Sequence, residues 1–194
     1  MVATPSTMLP LGTTAPCFTL QDVREDHLFS LSEPAGEKGL LVSFICNHCP
    51  YVIHILSSLT QNCHKWLEHD IKVIFISSND TLKYPDDSPE KMKRLAEKYE
   101  FRFPYLFDKE QSVAKAYRAA CTPDFYLFDN QQKLFYRGQY DDSRPGNSII
   151  PNGSDLINAI DSLINDQPPP ANQKPSMGCN LKWNPGNEPD YFIK

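Results

Sequence analysis

The chain has 194 residues, a net charge of -5 at pH 7, six cysteines and 17 prolines. That length suits one compact domain with an extension, since domains cluster at roughly 100–150 residues. With 40% hydrophobic and 11% aromatic residues, the chain has material for a core, which excludes wholesale disorder. The 19 Lys and Arg stand against 24 Asp and Glu without any dense basic cluster, which argues against a nucleic-acid partner.

The longest apolar run, Gly39 to Cys46, falls far short of the roughly 20 residues that cross a bilayer. No apolar block follows a basic N-terminus, so no secretory signal is read. A soluble, cytoplasmic protein with no membrane partner is expected. In a reducing compartment, irregularly spaced cysteines read as catalytic, metal-binding or buried apolar residues rather than as a disulfide framework. The buried reading is taken for Cys17 and Cys63.

Residues 1–16 carry three prolines and no period, which predicts a loosely packed arm. Two short strands follow, Cys17-Phe-Thr-Leu and His27-Leu-Phe-Ser-Leu, joined as a hairpin. Gly39-Leu-Leu-Val-Ser-Phe-Ile is a strand apolar enough to be covered on both faces. Val52, Leu56, Leu59, Cys63 and Trp66 share one face of a helix. Ile71-Lys-Val-Ile-Phe-Ile-Ser-Ser is the next buried strand, and the acidic segment Asn79 to Asp87 reads as a solvated loop.

Ser88-Pro89-Glu90 opens a second helix, with a capping residue, a first-turn proline and an acidic residue at the positive end of the dipole. A short strand around Pro104 to Phe107 and a helix over Ser112 to Arg118 come next. Phe125-Tyr-Leu-Phe and Lys133-Leu-Phe-Tyr-Arg make a second hairpin around Asp129-Asn130, and Leu156 to Ile164 form a last amphipathic helix. This order specifies an α/β fold around a mixed sheet. Residues 1–166 form the domain. Residues 167–194 are a proline-rich linker, Gln167 to Pro175, and a tail whose Trp183, Tyr191 and Phe192 suit a strap docked on the domain.

The chemistry concentrates in Cys46-Asn47-His48-Cys49-Pro50, between a buried strand and an amphipathic helix. Pro50 fits the first helical position, which makes Cys49 the N-cap. There a thiolate faces unpaired backbone N–H groups and the positive end of the dipole, so Cys49 should have a lowered pKa and be nucleophilic. A protonated His48 beside it would add to this effect. Further on, Cys121-Thr122-Pro123-Asp124 sets a proline at the start of a strand, where it marks an edge or a cis bond.

Together these segments resemble the thioredoxin-like superfamily over about residues 15 to 166. They are closest to its redoxin branch of peroxiredoxins and TlpA-type thiol-disulfide oxidoreductases. The resemblance implies a thioredoxin-like fold with an N-terminal hairpin, a cis Pro123, and Thr122 offering backbone hydrogen bonds to substrate. Family members read Val-x-Phe-x-x-x-x-Cys-x-x-Cys. Counting from Phe44 places the attacking thiol at Cys49 and the usual second cysteine at Val52. The chain instead carries Cys46 upstream. The peroxiredoxin pattern Pro-x-x-x-Thr-x-x-Cys is absent: its two leading places hold Val42 and Cys46, or Gly39 and Ser43, depending on which cysteine is counted from.

The leading reading is a thiol-disulfide oxidoreductase with no bound cofactor and no metal. Cys49 attacks a disulfide to form a mixed disulfide with protein or small thiol substrates, a second cysteine releases the product, and a reducing partner restores the enzyme. Cys46 is the first choice for that second thiol, with Cys121 and Cys179 as further candidates. The alternatives are a weak thiol peroxidase, and a protein holding copper or zinc through Cys46, Cys49, His48 and Cys121.

Overall fold

The computed structural model describes residues 3–32 and 38–192. A short strand β1 (Ala3–Pro5) precedes the hairpin β2 (Phe18–Asp22) and β3 (His27–Leu31), whose alternating burial turns Phe18 and Leu31 inward. β4 (Gly39–Phe44) leads into α1 (Pro50–Leu67), followed by β5 (Ile71–Ser77), a single 3-10 turn at Pro85–Asp87 and α2 (Pro89–Lys98). Then come β6 (Tyr105–Phe107), α3 (Ser112–Ala116), β7 (Cys121–Thr122), β8 (Asp124–Asp129) and β9 (Leu134–Gly138). The chain ends with α4 (Ser154–Ile164) and β10 (Met177–Asn180).

Seven strands form a mixed sheet in the order β3-β2-β6-β5-β4-β8-β9. β4 lies inside it, parallel to β5 and antiparallel to β8, and all six of its residues are buried. Its side chains alternate between two cores. Leu41 faces the layer of α1 and α4 with Val52, Leu56, Leu59, Cys63 and Trp66, while Leu40, Val42 and Phe44 face the layer of Tyr117, Leu181 and Trp183. Burying each such side chain contributes about 1.5–3 kcal/mol, which is why this strand is the mechanical centre of the molecule. It therefore delivers the loop after Phe44 to a fixed place.

A second, three-stranded sheet has the order β1-β10-β7. The N-terminal segment is thus not a loose arm. Ala3, Thr4 and Pro5 pair with Cys179, Gly178 and Met177, because β10 presents an open edge to them. Cys17 is also corrected: it is exposed, because the period of two that turns Phe18 inward turns Cys17 out. The tail packs back on the domain with Leu181 and Trp183 buried, while Tyr191 and Phe192 remain half-buried against the same cluster. Among the described residues, no helix is long and apolar enough to cross a membrane.

Candidate redox site

The Ile45 N–H still bonds to the Ile76 carbonyl (2.9 Å), and the chain then turns through Cys46, Asn47 and His48. Cys49 is the N-cap of α1 with extended backbone (φ -72°, ψ 121°), and Pro50 takes the first helical turn. Cys49, Cys46 and Cys179 are 0%, 1% and 2% exposed. The Cys49 sulfur lies 3.1 Å from the Thr122 carbonyl oxygen, and the Cys46 sulfur lies 3.3 Å from Thr122 Oγ1.

The three sulfurs share charge unequally. The Cys49 pKa is lowered, first by the thiol of Cys179 and then by that of Cys46, with backbone N–H groups of Val52 and Cys179 adding to them against the cost of burial. Cys46 and Cys179 are raised, each chiefly because its thiol donates to Cys49. The Thr122 carbonyl acts the other way, since it accepts from a thiol and repels a thiolate. The donors outweigh this acceptor, so of the three sulfurs Cys49 is the one whose ionisation is favoured.

His48 is fixed from the acidic segment. Its Nδ1 lies 2.8 Å from Asp87 Oδ2, and its ring stacks on Tyr84 at 5.5 Å between centroids. Asp87 raises the His48 pKa and keeps the ring cationic over a wider range. The same buried carboxylate accepts from the Asn47 N–H (2.8 Å) and from Asn79 Nδ2 (2.7 Å). Asn47 also accepts from the Tyr105 hydroxyl through Oδ1 at 3.0 Å. The segment expected to be a solvated loop is therefore the clamp on the Asn47-His48 turn. Sequence reasoning missed Asp87, and its only local signal is its place just before the Ser88-Pro89 helix start.

The Thr122–Pro123 peptide is cis. On it lies β10, antiparallel to β7 with Cys179 opposite Thr122 and Asn180 opposite Cys121. Cys121 is buried, its thiol donates toward the Pro123 carbonyl (3.6 Å), and burial raises its pKa. The structure thus brings Cys46, Cys49, Cys179, Thr122 and Pro123 together, with His48 at the rim and Cys121 turned to its own strand. One donor atom each from Cys46, His48 and Asp87 falls within 4.8 Å of the others. That group differs from the metal set read from the sequence, since it takes in Asp87 and omits Cys49 and Cys121. A cysteine of lowered pKa beside two further thiols has the parts that disulfide exchange uses.

Residues 11–137 match the model of the AhpC/TSA family. The chain is 46% identical to a solved structure described as an uncharacterized conserved protein from Geobacillus kaustophilus, covering 96% of this chain and 98% of that one with a TM-score of 0.93. A hypothetical protein from Sinorhizobium meliloti is 42% identical, over 94% of this chain and 100% of that one, with a TM-score of 0.91. The thioredoxin domain of a thiol-disulfide oxidoreductase from Bacteroides vulgatus shares the fold at 19% identity and a TM-score of 0.61, covering 80% and 99% of the two chains. No curated protein matches the chain.

Proposed function

The chain belongs to the AhpC/TSA family and has a thioredoxin-like fold, and from that premise we propose that it is a thiol-disulfide oxidoreductase with Cys49 as nucleophile. One observation carries the reading: the Cys49 sulfur sits at the N-cap of α1, 3.1 Å from the carbonyl before the cis-proline, with the thiols of Cys46 and Cys179 lowering its pKa. In the first step the Cys49 thiolate attacks a disulfide R–S–S–R′. A Cys49–S–S–R bond forms and R′S⁻ leaves. A second protein thiol then loses its proton and attacks Cys49 Sγ, closing a protein disulfide and releasing RS⁻. The substrate gains two electrons and the protein loses two, which a dithiol reductant returns. His48, whose pKa Asp87 raises, adds positive charge near the attacking sulfur when protonated.

Stopped-flow reaction with an aromatic disulfide whose leaving thiolate is coloured tests this. A burst in the reduced protein that disappears in Cys49→Ser supports the reading, and a burst that survives Cys49→Ser rejects it. Metal holding is a second reading, favoured by the approach of Cys46, His48 and Asp87. Near-stoichiometric zinc or copper in protein purified without added metal would displace the first reading.

A further inference from the structure

We propose that Cys179 is the thiol that closes the disulfide with Cys49, and that β10 lies where an extended partner chain would lie. This rests on Cys49 being the nucleophile, and it adds which thiol resolves the mixed disulfide and what guards the site.

The geometry begins with the register. β10 runs antiparallel to β7 with Cys179 opposite Thr122, and the Thr122 carbonyl contacts the Cys49 sulfur at 3.1 Å. The strand thus pairs with the residue that touches the nucleophile, and it carries a cysteine at the paired position. Gly178 makes this possible. An added Cβ there would stand 2.0 Å from the Thr122 oxygen and 2.6 Å from its carbonyl carbon, so no other residue lets the two backbones lie this close. With β10 seated, Cys49 is 0% exposed, and a protein disulfide reaches it only after the strand moves.

The segment is held on both edges. Pairing to β7 spans two residue pairs and pairing to β1 spans three, and upstream Ser176 Oγ donates to the Gly138 carbonyl (2.6 Å) while the Lys174 carbonyl accepts from the Gln139 N–H (2.9 Å). Downstream the chain is pinned. Leu181 N–H donates to the Ala120 carbonyl (3.0 Å), Lys182 N–H donates to Asn79 Oδ1 (2.8 Å), and Trp183 is buried. The strand is thus held in the register that sets Cys179 opposite Thr122. Cys46 sits in a clamped turn. Its neighbours are tied through the Ile45–Ile76 bond and the clamp of Asp87 on Asn47, and its thiol is engaged with Thr122 Oγ1. Disulfide closure demands specific geometry, and the register of β10 places Cys179 opposite the residue whose carbonyl touches the Cys49 sulfur, whereas Cys46 would have to close a bridge within its own clamped turn.

In the resolving step, Cys179 gives up its proton and its sulfur attacks Cys49 Sγ of the mixed disulfide. The Cys49–Cys179 bond forms, RS⁻ leaves, and the two electrons delivered to R–S–S–R′ have come from these two thiols. An added dithiol restores both.

The test treats the reduced full-length protein with one equivalent of a small disulfide, quenches it with acid and maps the linkages. The expected product is a Cys49–Cys179 bridge, unchanged in Cys46→Ser. In Cys179→Ser the mixed disulfide on Cys49 should persist, resolving about tenfold more slowly or worse. A Cys46–Cys49 bridge in the unaltered protein, with Cys179 free, overturns this inference and leaves Cys49 as nucleophile. A Cys49 that never enters any disulfide overturns both. The Cys46→Ser variant decides the matter if Cys179→Ser fails to fold.

Discussion

Gly178 lies so close to Thr122 that a Cβ on it would stand 2.0 Å from the Thr122 carbonyl oxygen. Gly178→Ala must therefore lift β10 from β7, at a cost of about 1–3 kcal/mol as for other overpacked sites. Its fold should survive, because the seven-stranded sheet does not include β10. Alkylation of Cys49 should speed up at least several-fold while labelling of Cys63 stays unchanged. Equal Cys49 rates in the two proteins would show that β10 does not limit access.

The His48–Asp87 pair makes a pH-dependent contribution of known sign. Asp87 raises the His48 pKa above its ordinary value of about 6.5. The stabilisation is therefore complete below that value and is lost as pH rises through the raised one. Asp87→Asn should lower the His48 pKa in an NMR titration and flatten this part of the stability profile. It should also slow Cys49 at neutral pH, because the imidazole is then less often cationic.

Asp124 works in the same sense, at lower pH. Burial pushes its pKa up to about 6, although Arg137 lies 3.8 Å away and lowers it. Between the unfolded value of about 3.9 and about 6 the native state binds more protons than the unfolded chain. Stability should thus fall as pH rises through that window, by about 3 kcal/mol. Urea denaturation at closely spaced pH values checks this, and Asp124→Asn should remove the slope.

The tail is an integral part of the molecule. Trp183 is 8% exposed and meets Tyr191 edge-on at 6.3 Å. Trp183→Ala should cost about 3–5 kcal/mol. Truncation after Asp166 should lower the melting temperature further and leave Cys49 open to reagents. A truncated chain with unchanged melting and unchanged thiol reactivity would make residues 167–194 a passive appendage.

Local pattern carried most of the fold into the sequence. The apolar run of β4, the stripe on α1 and the Ser88-Pro89 helix start each leave a periodic or capping signal within a few residues. Cys49 was legible in the same way, since Pro50 next to it marks the first helical turn. Cys179 was named only as a candidate, because its position depends on a strand pairing with Thr122, far away in sequence. Asp87 was hidden for a related reason. An acidic residue in a polar loop looks solvated until the His48 turn is placed against it. β1 has no apolar period of its own and forms because β10 offers an edge.

Cys49, whose pKa the neighbouring thiols lower, should be the first of the buried cysteines to ionise and react. Competitive alkylation of the reduced protein, with each cysteine quantified by mass spectrometry across pH, tests it most directly. At about pH 5–6 Cys49 should label first in Gly178→Ala, with a rate nearly flat up to about pH 8. Cys46, Cys121 and Cys179, whose pKa values are raised, should gain reactivity only in alkali. Labelling of Cys46 or Cys121 ahead of Cys49 at acid pH, or a Cys49 rate that climbs like that of an ordinary thiol, would contradict the account.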